Sequence, residues 1–518
     1  MPKARNKRVT GHEPAVILTA LHIGAGSVSA MVCERDGATL LPIDFLAQPA
    51  PLAQDIFRRG NVSNATTERI VSIIKGYQKS FAELGIDPHG ITRSLATNIL
   101  SEATNHEAVM NRIRIACGLD VSTIDDGEMT RLIYLKTRRR LNDIPAMKDQ
   151  TTLVVHVGPG NTRALLFQNN SIIRYTSYRL GTHRTREAVD GSHAEGTALL
   201  RVIREHASGN LAQLRFDYSD VKIESLVVIG YEIQSVARQL AKPGQSCSVK
   251  TLRQFVAEAS GASDVELVKR FRLDYQTAEA LLPSLEINLA IAELLGLSQL
   301  HIPQSDYEQG LLQDILVSRE LTGAFAEEVL SSAKILAARY QSDPQHGKHV
   351  GLLCSRFFEE FADLHQLSAH DALLLQVSAI LHEVGTFVSP RAHHKHSEYI
   401  ILNSEIFGLD RLDVTIVALV SRYHRHSVPR PDHPSYRELT TDDRIRVSKL
   451  AALLRVADAL ERTHDQRVHE IGMRRDGNKL HLKLPGLADA AVERLAMESK
   501  SDLFEQVFGL KVVIDEDN

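Results

Sequence analysis

The 518-residue chain has no tryptophan, only four cysteines, and no strong charge of either sign, its formal net charge being −4. Each scarcity excludes something. The cysteines, Cys33, Cys117, Cys247 and Cys354, stand far apart in no zinc or redox spacing and fit a reducing cytoplasm. A near-balanced charge lacks the basic excess that holds polyanions non-specifically, so neither nucleic acid nor a membrane surface is an expected partner. No apolar run approaches the ~20 residues needed to cross a bilayer. The basic start (Lys3, Arg5, Lys7, Arg8) is not followed by the apolar stretch of a secretory signal, and residues 1–14 read as disordered.

Histidine is what the chain has in excess. Of its 23 histidines, eleven fall between His346 and His433. Clustering of imidazoles at that density points to metal.

Periodicity divides the rest. Ala15 to Leu21 is apolar throughout, ends in the turn Gly24-Ala25-Gly26-Ser27 and is followed by a second apolar run from Ser29 to Cys33. The same strand, glycine loop and strand recur at Thr152 to Val157, Gly158-Pro159-Gly160-Asn161-Thr162 and Arg163 to Phe167, so a unit is duplicated. Helical spacing at Glu68–Leu84 and His106–Cys117, with a short strand at Ile91–Ala96, makes the region between the repeats α/β. From Leu321 onward the strand signal disappears, and successive amphipathic segments predict an all-helical domain. The expected domains are 15–140, 141–320, a helical domain at 321–472 and a small α+β piece at 473–518.

Glycine loops let backbone N–H groups approach an anion because no Cβ intervenes; two loops face to face suit a polyphosphate, although a pair of tight hairpins has the same pattern. The order of motifs narrows this. His22-Ile-Gly-Ala-Gly-Ser27, Ala96-Thr-Asn-Ile-Leu-Ser-Glu-Ala-Thr-Asn105, Asp126-Gly-Glu-Met-Thr-Arg-Leu-Ile133 and His156-Val-Gly-Pro-Gly-Asn-Thr162 together resemble the exopolyphosphatase / guanosine pentaphosphate phosphohydrolase (Ppx/GppA) family. The resemblance implies a duplicated actin-like (ribonuclease H-like) ATPase fold and release of orthophosphate from inorganic polyphosphate or a phosphorylated guanine nucleotide. It also implies Glu128 as the base that activates water, a homodimer, and phosphate held by Gly24, Gly26, Ser27, Gly158, Gly160, Asn161 and Thr162. Arg131 and Arg138 to Arg140 would add positive potential at the cleft mouth.

The sequence departs from the family at chemically central positions. His22 and His156 stand where it places an acid before each loop, and Mg²⁺ prefers oxygen to imidazole. Ser101 replaces a phosphate-facing arginine, and Gly230-Tyr-Glu232 replaces a Gly-Gly-Thr turn.

In the helical domain, His346, His382-Glu383 and Asp458 follow the order of the HD phosphohydrolases, with Glu383 in place of the usual Asp. The resemblance makes these four the ligands of a divalent metal, Mg or Mn, with His396 and His424 nearby for a second metal or for phosphate. Three functions follow as expectations: phosphoanhydride hydrolysis between the glycine loops, metal-dependent phosphohydrolysis in the helical domain, or non-catalytic sensing of a phosphorylated ligand.

Overall fold

The computed structural model describes residues 16–36, 39–87, 90–124, 127–133, 150–169, 171–241, 246–303, 307–316, 323–425, 427–487 and 489–515. The expected disordered start, Arg138 to Arg140 and most of the 140/141 boundary lie outside these. The chain packs as two compact units: 1–125, 129–170 and 176–319 form one, and 126–128, 171–175 and 320–518 the other, as far as they are described.

The first unit contains the duplication. Strands β1 (Val16–Ile23), β2 (Ser27–Asp36), β3 (Thr39–Pro49), β4 (Arg93–Ala96) and β5 (Ser122–Thr123) form a sheet in the order β3-β2-β1-β4-β5. Strands β6 (Thr152–Val157), β7 (Thr162–Gln168), β8 (Ser171–Tyr178) and β9 (Ser225–Ile229) repeat it as β8-β7-β6-β9. In both sheets the first strand pairs antiparallel with the second and parallel with the fourth. This is the duplicated actin-like fold.

Local chemistry explains why the elements form where they do. Ser63 caps the helix Asn64–Glu83 by accepting from Thr66 N at 3.1 Å, and Ile70, Ile74, Tyr77 and Phe81 then fall on one buried stripe. Burial of each such side chain contributes about 1.5–3 kcal/mol. Tyr77 also donates its hydroxyl to Val28 O at 2.8 Å, fixing the helix against β2.

The helical domain is present as expected. Its central helix, Thr441–Leu460, is buried on all faces from Leu450 onward. A three-stranded sheet follows, Gly472–Asp476 antiparallel to Lys479–Lys483, which is parallel to Lys511–Ile514. The fully buried Arg455 ties this tail to the central helix, donating from Nε to Lys500 O at 2.8 Å and pairing with Asp502. That tie matters because it delivers Lys500 to the cluster described next.

Candidate metal centre and glycine-loop cavity

His346 sits in the first turn of the helix Pro344–Glu360, whose start is fixed by Asp343 accepting from Gln345 N at 2.9 Å. The adjacent Gly347 lets this helix approach Ala369–Leu381, since a Cβ there would lie 3.3 Å from Ile380 Cα. Close approach brings His346 to His382, Nε2 to Nε2 at 3.2 Å. His382 donates Nδ1–H to Ala379 O at 2.8 Å, so its Nε2 presents a lone pair to the cluster.

Glu383 Oε2 lies 3.9 Å from His346 Nε2, and Asp458 Oδ1 lies 3.8 and 3.7 Å from His346 and His382. The four predicted ligands therefore converge. Burial pushes the Asp458 carboxyl up, but the Lys500 ammonium and the neighbouring His382 outweigh it and hold the group well below its usual range. Lys500 pairs with Oδ2, which leaves Oδ1 facing the imidazoles. The fully buried Glu461 adds a third carboxylate, 3.5 Å from His349 Nε2. Three carboxylates face one ammonium, and although burial pulls the His382 pKa down, the neighbouring Asp458 and Glu383 carboxylates raise it above its ordinary value. A divalent cation is the complement such a cluster lacks, and mixed N and O donors suit Mn²⁺ or Fe²⁺ better than Mg²⁺.

The imidazole that faces His424 is His393 rather than His396, Nε2 to Nε2 at 3.1 Å. Each ring places Nδ1 on a carbonyl, His424 on Ser421 O at 2.6 Å and His393 on Pro390 O at 3.2 Å, so two Nε2 lone pairs face each other. Gly385 makes this possible: its N–H donates to Ser397 Oγ at 2.9 Å, and Ser397 donates to His382 O at 2.7 Å. A Cβ on Gly385 would collide with the backbone of His393 and Ser397.

In the first unit, His22 and His156 occupy the same place, one residue before the end of β1 and of β6. Both loops close the same way, Gly24 N on Ser27 O at 2.7 Å and Gly158 N on Asn161 O at 3.0 Å. A Cβ on Gly24 would lie 3.4 Å from His22 Cε1 and one on Gly158 3.0 Å from His156 Cε1, so each imidazole lies beneath its own loop. Burial lowers the His22 pKa to about 4.

Gly24, Gly26 and Ser27 line a cavity of ≈ 180 Å³ together with Pro159 of the second loop. Gly158, Gly160, Asn161 and Thr162 are not among its lining residues; Thr162 donates its buried hydroxyl to Leu180 O at 2.6 Å, and Gly160 packs on Phe57 and Ile99. Glu128 does not line it either. The preceding Gly127 belongs to the second unit, where a Cβ would fall 2.6 Å from Asp410 N.

Four lining residues had no role in the sequence-based assignment of the cleft: His183, Glu232, Asp274 and Gln276. Glu232 is buried, accepts from Thr182 Oγ1 at 2.8 Å and lies 4.0 Å from His183 Nε2. Burial, with Asp274 acting the same way, raises its pKa to about 7. Burial lowers that of His183 to about 4. The nearest arginines are committed elsewhere: Arg184 and Arg179 pair with Glu102, and Arg58 with Glu187 and Asp190. Glu232 was visible in the sequence only as a departure, and Asp274 carries only the local signal of a helix cap, accepting from Thr277 N at 2.9 Å.

A guanosine-5'-triphosphate,3'-diphosphate pyrophosphatase of Vibrio atlanticus is 22% identical over 499 residues, 94% of this chain and 96% of that protein. Its namesake from Vibrio vulnificus is 20% identical over 478 residues, 92% of each. The crystal structure of the Aquifex aeolicus Ppx/GppA family member aligns with TM-score 0.46 at 18% identity, covering 60% of this chain and 98% of that one. Residues 330–500 match domain III of the Ppx/GppA phosphatases. Residues 33–319, more than half of the sequence, match the family itself, and the chain belongs to the Ppx/GppA phosphatase family of phosphoanhydride hydrolases.

Proposed function

We propose that this chain is a divalent-metal-dependent phosphohydrolase that releases orthophosphate from polyphosphate or a phosphorylated guanine nucleotide, with its chemistry in the helical domain. The observation that carries this reading is the gathering of His346, His382 and Glu383, whose donor atoms all lie within 4.8 Å of one another, with Asp458 Oδ1 3.8 and 3.7 Å from the two imidazoles. A metal held there polarises a phosphoryl oxygen and lowers the pKa of water. The chain's own residues do the rest. Ala379 O fixes His382 in the tautomer that offers Nε2, and Lys500 holds Asp458 so that Oδ1 faces inward. His393 and His424 direct two further lone pairs inward. Arg425 and Lys395, whose charges act on the neighbouring His394, supply positive potential for phosphate.

Family membership favours a second reading, with hydrolysis between the glycine loops and Glu128 as base. One assay separates them: orthophosphate release from guanosine pentaphosphate and from long-chain polyphosphate, with Mn²⁺ and with Mg²⁺. On the first reading a His382→Ala/Asp458→Ala protein loses about a hundredfold or more, as expected when metal ligands go, while Glu128→Ala keeps its rate. The reverse pattern places the chemistry in the cleft and overturns the metal reading.

A further inference from the structure

We infer that the glycine-loop cavity of the first unit binds a small organic cation, an alkylamine or a guanidine, and no phosphate chain. The cavity has the wrong polarity for an anion. Among its described lining residues there is no lysine or arginine, whereas Glu232 and Asp274 both face it. Arg184 is held away by Glu102, with two bonds of 2.6 and 2.8 Å, and its Nε donates to Gly160 O at 2.9 Å.

Two lining side chains wait for a partner. His22 is only 7% exposed and neither ring nitrogen has one. Gln276 Oε1 is buried and equally unpartnered, and it stands where the Cβ of any residue other than glycine at position 26 would be, 2.6 Å from it. The Gln276 amide thus covers the loop face that a phosphate would approach. A buried acceptor without a donor is destabilising, and a ligand N–H relieves it. A neutral imidazole nitrogen, an amide oxygen and the Glu232 carboxylate form an acceptor set, with the charge of Asp274, whose oxygens accept from Thr277 N and Oγ1, beside it; ammonium and guanidinium are donors only.

No charge that acts on Glu232 is positive. A bound cation supplies the missing one and favours the carboxylate, so binding near pH 7 releases a proton from Glu232. His183, Asp274 and Thr182 are the groups that face it.

Calorimetry on the full chain tests this with agmatine as probe and inorganic tripolyphosphate and Mg²⁺ as comparisons. Saturable agmatine binding is expected, with a buffer-dependent heat from the released proton. Glu232→Gln and Gln276→Leu should each weaken it about tenfold, the size of one lost charge-assisted hydrogen bond, with thermal melts confirming that both fold. Absence of saturable agmatine binding overturns the inference, as does binding that both folded variants retain. Glu232-dependent binding of tripolyphosphate or Mg²⁺ in its place also overturns it. Agmatine binding should persist in the His382→Ala/Asp458→Ala protein, which keeps this result separate from the fate of the metal-dependent reading.

Discussion

Lys500→Met is the most informative single change, because one ammonium does for the metal-free cluster part of what a metal would do. Lys500 and Asp458 are both nearly inaccessible, with side-chain exposures of 8% and 5%. Without metal, removing the ammonium strands Asp458 among Glu383 and Glu461 and makes the cluster one unit more negative. Breaking a buried pair from one side costs about 3–5 kcal/mol. For a unit of this size that is a fall in melting temperature of roughly 6–20 °C. Saturating Mn²⁺ should reverse the ranking of effects. It stabilises either protein in proportion to RT ln(1 + [L]/Kd), about 4 kcal/mol at a thousandfold excess over Kd, and it binds the more negative variant more tightly. The gain on adding Mn²⁺ is therefore larger for Lys500→Met than for the unmodified chain. Circular dichroism melts with EDTA and with Mn²⁺, on both proteins, give the four corners of the cycle. Equal destabilisation with and without Mn²⁺ would refute the charge argument. Failure of Mn²⁺ to stabilise either protein would refute the metal centre itself.

Other changes read other parts of the structure. The folded Glu232 keeps its proton to about pH 7 while the unfolded chain releases it near 4.5. Stability falls as pH rises through that window, by about 3 kcal/mol in all, and Glu232→Gln should flatten the slope in urea titrations between pH 4.5 and 8. His22 has the opposite sign. Its folded pKa of about 4 lies below the ordinary 6.5, so acidification through that interval destabilises the native state, and His22→Asn should melt with less dependence on pH there. Gly385→Ala forces a methyl into the backbone of His393 and Ser397. It should cost about 1–3 kcal/mol as an overpacking change and weaken Mn²⁺ binding in a calorimetric titration.

The duplication was legible in the sequence because each repeat writes its strand, loop and strand within some twenty contiguous residues. His106–Cys117 and Thr152–Val157 have the bounds that periodicity gave them. Strands β3 and β8 were missed, since Thr39–Pro49 carries a proline and polar residues and Ser171–Tyr178 is half exposed. Among the successive amphipathic segments, one helix begins at His393 and ends at Leu402, after Ala392 turns the chain with φ +58°. That turn directs His393 toward His424. The metal ligands were readable because their order along the chain is distinctive. Lys500 was not, because the tail meets the central helix through tertiary packing, the Arg455 tie to Lys500 O and Asp502 among it. The acceptor-lined cavity was equally hidden: Glu232, Asp274 and Gln276 meet through tertiary packing that no local pattern encodes.

The paired imidazoles under the glycine loops change what those glycines mean. In a phosphate cradle, glycine is kept because an anion must come near the backbone. Here a Cβ would press on His156 Cε1 at 3.0 Å from position 158 and on Ser27 O at 3.1 Å from position 24, so a larger residue is resisted from within the loop whether or not any anion arrives. Packing inside the turn is thus a reason for glycine that is independent of phosphate, and a pattern search that scores the glycines alone does not tell a loop kept for an anion from one kept for its own interior.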